Sequence, residues 1–412
     1  MKTVLFDLMV SQPVAGSKFH GGGEYVKTVF QKLCLDYLSN IRLIVFYDPK
    51  RYLDDWIYEI IRKNRIITYE VHDYSEVRKI PEFSDVNVFF AGLMTGLRTL
   101  NFPSNTKVIG VYHGFRSLEL PIEKTAPLYE NTIKGKVKVY TKLLMGRYYY
   151  NRKYKDMKGL ISKCTYIVGV SEHSGYAAQV FFPDFPMDKI KVYYSPPKYI
   201  ETVPGIDEIK KEKFVLMLGG NRWGKNIYRG ILALDGLFSK RKMDEYNVRI
   251  VGGIPRDILR KIKNKDRFIS LDYLSTENLE KTYKACDIFF YPTLNEGFGY
   301  PPLEAMKYGT TCVISAVNSL PEIYKDSVYY CNPYDISEMQ GRLLQAAENK
   351  IPEIAISKHV KYIGDKQRKD LENLCKLIAD PTGFSNENER GYKNADNTKN
   401  NPLLLVRGGR AA

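Results

Sequence analysis

The sequence contains no C-x-x-C pair and no group of histidines and cysteines at metal-ligand spacing, which excludes zinc-ribbon and dithiol redox frameworks. Its six cysteines (Cys34, Cys164, Cys286, Cys312, Cys331, Cys375) are expected as free thiols in a reducing compartment. No apolar run is long enough to cross a bilayer. The longest uncharged stretch holds fourteen residues, 308–321, and is polar and interrupted. The first apolar run, 3–10, is broken by Asp7, which argues against a secretory signal and suits a buried strand. There is no G-x-G-x-x-G, which counts against a nicotinamide dinucleotide enzyme. Together these absences lead to the expectation of a cytoplasmic protein.

Acids are outnumbered by bases, 47 against 62, for a net charge of +15, and most of the excess lies in one place. Residues 134–163 hold ten basic residues and one acid, interleaved with Tyr140, Tyr148, Tyr149, Tyr150, Tyr154, Leu143, Leu144 and Met145. That composition suits an anionic membrane surface, against the plainer reading of a solvated basic helix pair. No nucleic-acid motif accompanies the patch, so nucleic acid is not an expected partner.

A chain of 412 residues exceeds what one core fills and predicts two domains of about 200 residues each. Short β-branched runs at 3–10, 42–48, 66–71, 86–92, 106–114, 165–172 and 189–195 alternate with helical periodicity, as at 24–39 and 52–64. Prolines and charge at 196–213 interrupt the rhythm and mark a linker. The alternation resumes with strands at 214–220, 247–253, 267–273, 286–293 and 310–316, and Asp335 three residues before Glu338 opens a helix. The predicted fold is α/β: two Rossmann-like, doubly wound domains, 1–200 and 201–378, facing a cleft. The last helix is expected to cross back to the first domain, and 379–412 to form a disordered tail.

The most informative stretch is NEGFGYPPLEAM, residues 295–306. A strand end, a loop with Gly297 and Gly299, and a helix opened by Pro301 and Pro302 form a site where backbone amides can face an anion. The prolines have no N–H, so donors must come from residues 297–300 or from Leu303 and Glu304. Two carboxylates, Glu296 and Glu304, flank this cradle, a layout suited to a ligand with hydroxyls on both sides of a phosphate. Taken singly, Glu304 is also what a helix's first turn favours, and Glu296 what a turn accepts.

EGFGYPPLEAM followed by GTTCVISAVNSLPEIY resembles the Glu-x7-Glu signature of family 4 retaining glycosyltransferases, which have the GT-B fold. GGGEY, YHG, IVGVSEHS, KIKVYYSPP and GGNRWGKN extend the likeness over most of residues 3–378. The resemblance implies a retaining transferase moving a sugar from a nucleotide-sugar to a glycan or lipid-linked glycan, as in bacterial surface polysaccharide synthesis. It implies no cofactor and no metal, in keeping with the lack of any D-x-D. Carried onto this sequence, it puts Glu304 on the ribose hydroxyls and gives Glu296 a positioning and charge-stabilising role at the donor sugar. The amides of Phe298 and Gly299 fall near the sugar and phosphates, Arg222 and Lys225 against the diphosphate, and the loop containing Gly22 and Gly23 approaches it from the first domain. His113 falls beside the donor sugar, although Gly114 stands where the family often has an aspartate. Two other readings stay open: an epimerase or phosphorylase of the same architecture, and a non-catalytic nucleotide-binding scaffold.

Overall fold

The computed structural model describes residues 1–13, 21–198 and 203–383. The first domain is a parallel sheet of β1 (Lys2–Asp7), β2 (Ile41–Tyr47), β3 (Ile67–Glu70), β4 (Val88–Ala91), β5 (Lys107–Tyr112), β6 (Tyr166–Gly169) and β7 (Ile190–Val192), in the order β3-β2-β1-β4-β5-β6-β7. The second is a parallel sheet of β8 (Glu212–Leu218), β9 (Asn247–Val251), β10 (Phe268–Leu271), β11 (Cys286–Tyr291), β12 (Thr311–Ser315) and β13 (Tyr329–Cys331), in the order β10-β9-β8-β11-β12-β13. The strands are near-continuously apolar because helices cover both faces, as in the buried run of β12. The expected doubly wound architecture is therefore present in both halves.

Each sheet reverses its strand order once, between β1 and β4 in the first and between β8 and β11 in the second. The connections diverge to opposite faces there and leave a crevice beyond the strands' carboxyl ends. The loops after β8 and β11, which carry GGNRWGKN and NEGFG, both open at this point.

The helix Glu353–Ala379 leaves the second domain and packs on the helix Gly21–Asp36 and on β1. Leu374, Cys375, Leu377 and Ile378 are buried along it, and the Tyr37 hydroxyl donates to Glu372 at 2.5 Å. It joins the inner layers of both domains into one apolar core.

Two local expectations are corrected, and one strand was not anticipated. Gly22 and Gly23 were expected in a loop, but Gly21–Asp36 is helical throughout, so these glycines form its first turn. The packing explains the small residue: a Cβ on Gly22 would meet Leu93 Cδ2 at 3.0 Å. Residues 14–20, which precede the helix, lie outside the described residues. Strand β13 carried no recognisable signal, because three residues are too few to show alternation. Residues 379–383, expected with the tail, are held: Ala379 is helical and the Tyr166 hydroxyl donates to Pro381 O at 2.9 Å. The rest of the expected tail, 384–412, lies outside the described residues. All six cysteines are unpaired and buried, as anticipated for free thiols.

Candidate active site

Strand β11 ends at Tyr291, and the chain then turns through Thr293 and Asn295 to Glu296. Thr293 shares its one hydroxyl proton between Gly224 O at 3.0 Å and Glu296 Oε1 at 2.8 Å, and Leu294 N donates to the Gly224 carbonyl at 2.8 Å. The loops after β8 and β11 are thereby tied together. Asn226 completes the tie: its buried amide donates to Pro292 O at 2.9 Å and Pro333 O at 2.8 Å from a left-handed backbone (φ 56°).

Glu296 is the centre of this arrangement. One oxygen, Oε1, accepts from Lys225 Nζ at 2.5 Å and from the Tyr291 and Thr293 hydroxyls at 2.8 Å each. Burial pushes its carboxyl up, but the Lys225 charge and these hydrogen bonds outweigh burial and hold it below the usual 4.5. Burial lowers the Lys225 ammonium in turn; Glu296 opposes this, and Arg222 and Arg116 add to it.

Eight residues on, Glu304 is buried in the short helix Tyr300–Met306, with Pro301 and Pro302 in its first turn. It forms an ion pair with Lys198 and accepts from the Tyr283 hydroxyl at 2.9 Å. Burial raises it, yet Lys198 and the Tyr283 hydrogen bond leave it lowered and ionised. Both carboxylates are thus held charged at the crevice by one lysine each.

The loop between them is shaped by close approach. Gly299 has φ 90°, and a Cβ on it would meet Leu320 Cδ2 at 2.5 Å. Leu303 N is taken by the Tyr324 hydroxyl at 3.1 Å, which removes it from the possible ligand donors. The amides of Gly297, Phe298 and Gly299 donate to no acceptor among the described residues. Phe298 itself is buried against Tyr194 and Tyr300, with ring centroids 5.6 and 5.0 Å away, so only its backbone faces the crevice.

The first domain supplies the opposite wall. His113 follows β5; its Nε2 lies 3.0 Å from Gly92 O, and its ring stands edge-on to Tyr25. Because a carbonyl only accepts, Nε2 carries the proton in this contact. The wall touches the loop directly: a Cβ on Gly297 would lie 2.0 Å from His113 O, so only glycine permits this contact. Polar bridges continue across the crevice. Asn295 donates to Glu119 at 2.8 Å, Arg229 pairs with Glu123 at 2.7 Å, and the backbone amides of Glu172 and His173 donate to Glu322 at 2.8 and 2.7 Å.

The site residues anticipated from sequence divide in two. Glu296, Lys225, Arg222 and the 297–299 amides form one cluster, with Glu304 held at its other side, and His113 faces them from the first domain. Gly22 adjoins Leu93, and Gly23 is buried beside it in the first turn of the helix Gly21–Asp36. Sequence reading missed Lys198, Tyr283, Tyr291, Thr293 and Arg116. Lys198 was hidden inside an assigned linker. Arg116 stands three residues after His113 at a strand's carboxyl end, a position that could have drawn attention to it. Among the described residues no three His, Cys, Asp or Glu are grouped so as to hold a metal ion.

Residues 201–370 match the family of glycosyl transferases group 1. This group 1 match covers the second domain and both glutamates. The chain is 26% identical over 232 residues to the O-antigen chain mannosyltransferase RfbU of Salmonella typhimurium, covering 54% of this chain and 60% of that protein. It is 30% identical over 164 residues to O-antigen chain mannosyltransferase B of Escherichia coli, covering 38% and 43%. The chain therefore matches less than two thirds of the length of either relative. Over 92% of its length it superposes on 98% of HepE from Anabaena, solved in complex with UDP-glucose, with a TM-score of 0.63 at 12% identity. The lipopolysaccharide outer core galactosyltransferase WaaB gives 0.57 at 16%, covering 90% and 98%. At these identities the likeness establishes the fold, which is GT-B.

Proposed function

We propose that this protein is a retaining family 4 glycosyltransferase that moves a hexose from a nucleotide-sugar to a glycan or lipid-linked glycan during bacterial surface polysaccharide synthesis, on the cytoplasmic side. The observation that carries the reading is the pair of buried, ionised carboxylates, Glu296 and Glu304, on either side of three uncommitted amides and beside basic residues. A nucleotide-sugar presents hydroxyls, a diphosphate and further hydroxyls in that order. Glu304 receives the ribose hydroxyls; the amides of Phe298 and Gly299, with Arg222 and Lys225, receive the diphosphate; Glu296 and His113 flank the sugar. Gly22 and Gly23 bring the first helix's amino end near the phosphates. When the glycosidic bond breaks, charge builds on the departing diphosphate, and cations already in place there lower the barrier. Glu296 positions the sugar and steadies its developing positive charge, and the new bond keeps the donor's configuration. Neither metal nor cofactor takes part. The mannosyltransferase relatives support a mannose-like donor sugar.

The test is thermal shift against GDP-, UDP-, ADP- and dTDP-sugars, with and without EDTA. A donor at about 100 times its dissociation constant stabilises by roughly 2.7 kcal/mol. The expected result is a shift with one nucleotide class, unchanged by EDTA and lost in Glu304→Gln. No shift with any of them removes the donor assignment and favours the scaffold reading.

The acceptor side of this reading includes an anionic membrane surface. The helices Ile133–Leu144 and Gly146–Ile161 meet at Met145. Ile133, Val137, Tyr140 and Leu144 form an exposed stripe at helical spacing, with Ile133 84% and Leu144 88% accessible, between Lys134, Lys138 and Lys142. Among the described residues no helix is long and apolar enough to cross a membrane, so contact would be peripheral. In flotation the protein should rise with anionic vesicles at low salt, stay behind with neutral ones, and be released by salt. Replacing Leu144 with Asp should weaken recovery; equal recovery with both vesicle types rejects the electrostatic docking.

A further inference from the structure

Arg116 opens the short helix Arg116–Glu119 in the first domain, yet its guanidinium lies in the second domain's loop. A Cβ built on Gly224 would sit 1.9 Å from Arg116 Nη2, so the guanidinium rests directly on the Gly224 backbone. Burial and Arg222 lower its pKa, while Glu296 and Tyr291 raise it, so all four surround the same space. Lys225 experiences the same neighbours, Glu296, Arg222 and Arg116. Arg222 folds back over Gly219, where a Cβ would meet Arg222 Nη2 at 3.0 Å and Lys225 Cγ at 2.8 Å.

Three cations therefore converge on one carboxylate. Lys225 is neutralised by Glu296. Neither the Arg116 nor the Arg222 guanidinium has an ion pair or hydrogen bond among the described residues, and both residues stay solvent-accessible. Like charges held together without partners destabilise the unliganded state, and a polyanion relieves them. Two spare guanidiniums match the two charges of a diphosphate bridge, and guanidinium binds phosphate oxygens in pairs.

We propose that Arg116 is the third cation of the donor diphosphate site, supplied across the crevice from the first domain. The inference rests on the donor site proposed above. Its new content is the assignment of Arg116, a first-domain side chain, to the phosphates. The geometry makes this economical: Glu119, on the same turn of helix as Arg116, receives Asn295, the neighbour of Glu296. One short helix thus carries both a clasp on the Glu296 loop and a charge for the ligand.

Three variants separate a ligand-binding charge from a structural one. Arg116→Gln removes the charge, Arg116→Lys keeps charge without the paired geometry, and Gly224→Ala keeps every charge but displaces the guanidinium. The measurements are calorimetric binding of UDP and GDP and the unliganded melting temperature. Arg116→Gln should weaken diphosphate binding about 10- to 100-fold, with Arg116→Lys intermediate and Gly224→Ala close to Arg116→Gln. The unliganded melting temperature of Arg116→Gln should stay the same or rise, whereas losing a structural arginine would lower it. Wild-type protein that binds neither diphosphate overturns the donor site and this inference together. Wild-type binding with unaltered affinity in Arg116→Gln overturns this inference alone.

Discussion

Lys225→Met should cost about 3 kcal/mol of stability at neutral pH, because it leaves the buried Glu296 carboxylate without its direct counter-ion. Arg116 and Arg222 remain nearby, which keeps the loss at the lower end of what breaking a buried pair costs. The pH dependence is diagnostic. In the intact protein Glu296 sits below its ordinary 4.5, so its stabilising contribution is full above that value and is lost as pH falls through the folded-state pKa. Without Lys225, burial becomes the dominant influence and raises Glu296 above 4.5. The variant is then penalised at neutral pH and recovers as pH falls and the acid takes up its proton. Urea unfolding of both proteins between pH 7 and about pH 4 should show the difference narrowing toward the acidic end. A difference that stays constant over that range would mean that Lys225 does not govern the ionisation of Glu296.

Glu296→Gln and Glu304→Gln should separate in their kinetics. Glutamine at 296 keeps size and hydrogen-bonding reach but removes the charge that balances Lys225 and faces the sugar. Transfer should fall about 100- to 1,000-fold in kcat with a small change in donor KM. Glutamine at 304 loses an acceptor for ribose hydroxyls that touches the donor before and during the reaction alike. Donor KM should rise about tenfold or more with kcat largely retained. Steady-state rates with the donor class found by thermal shift measure both. If the two variants lose kcat equally, the division of roles is wrong; if both stay fully active, the site is elsewhere.

The two-domain architecture was legible because parallel strands buried on both faces leave continuous apolar runs, and the runs at 3–10, 42–48 and 86–92 overlap β1, β2 and β4. Boundaries were less legible. Strand expectations at 165–172 and 189–195 overran β6 and β7, since apolar residues continue past the last ladder bond into the loops that line the crevice. The glycines at 21–23 misled for the opposite reason. Their intrinsic preference for turns gave way to the helix that continues through Tyr25, Val26 and Val29, all buried. Asp335 was legible in full: its side chain accepts from Glu338 N, as the spacing implied.

Glu296, Glu304 and Lys225 could be named from the chain because a glycine-proline turn at a strand end is a local pattern that constrains the backbone whatever surrounds it. Their partners could not. Lys198 reaches Glu304 from 106 residues away, and Arg116 reaches the Lys225 cluster from another domain. The sequence by itself determined which segments form most of the strands and helices and which loop presents paired acids, since periodicity and turn chemistry act over a few residues. Tertiary structure alone decided how those acids are charged and which cations converge. Burial, Coulomb energy and close approach depend on distance in space, and only the folding of two sheets against one cleft brings Arg116, Arg222, Lys225 and Glu296 together.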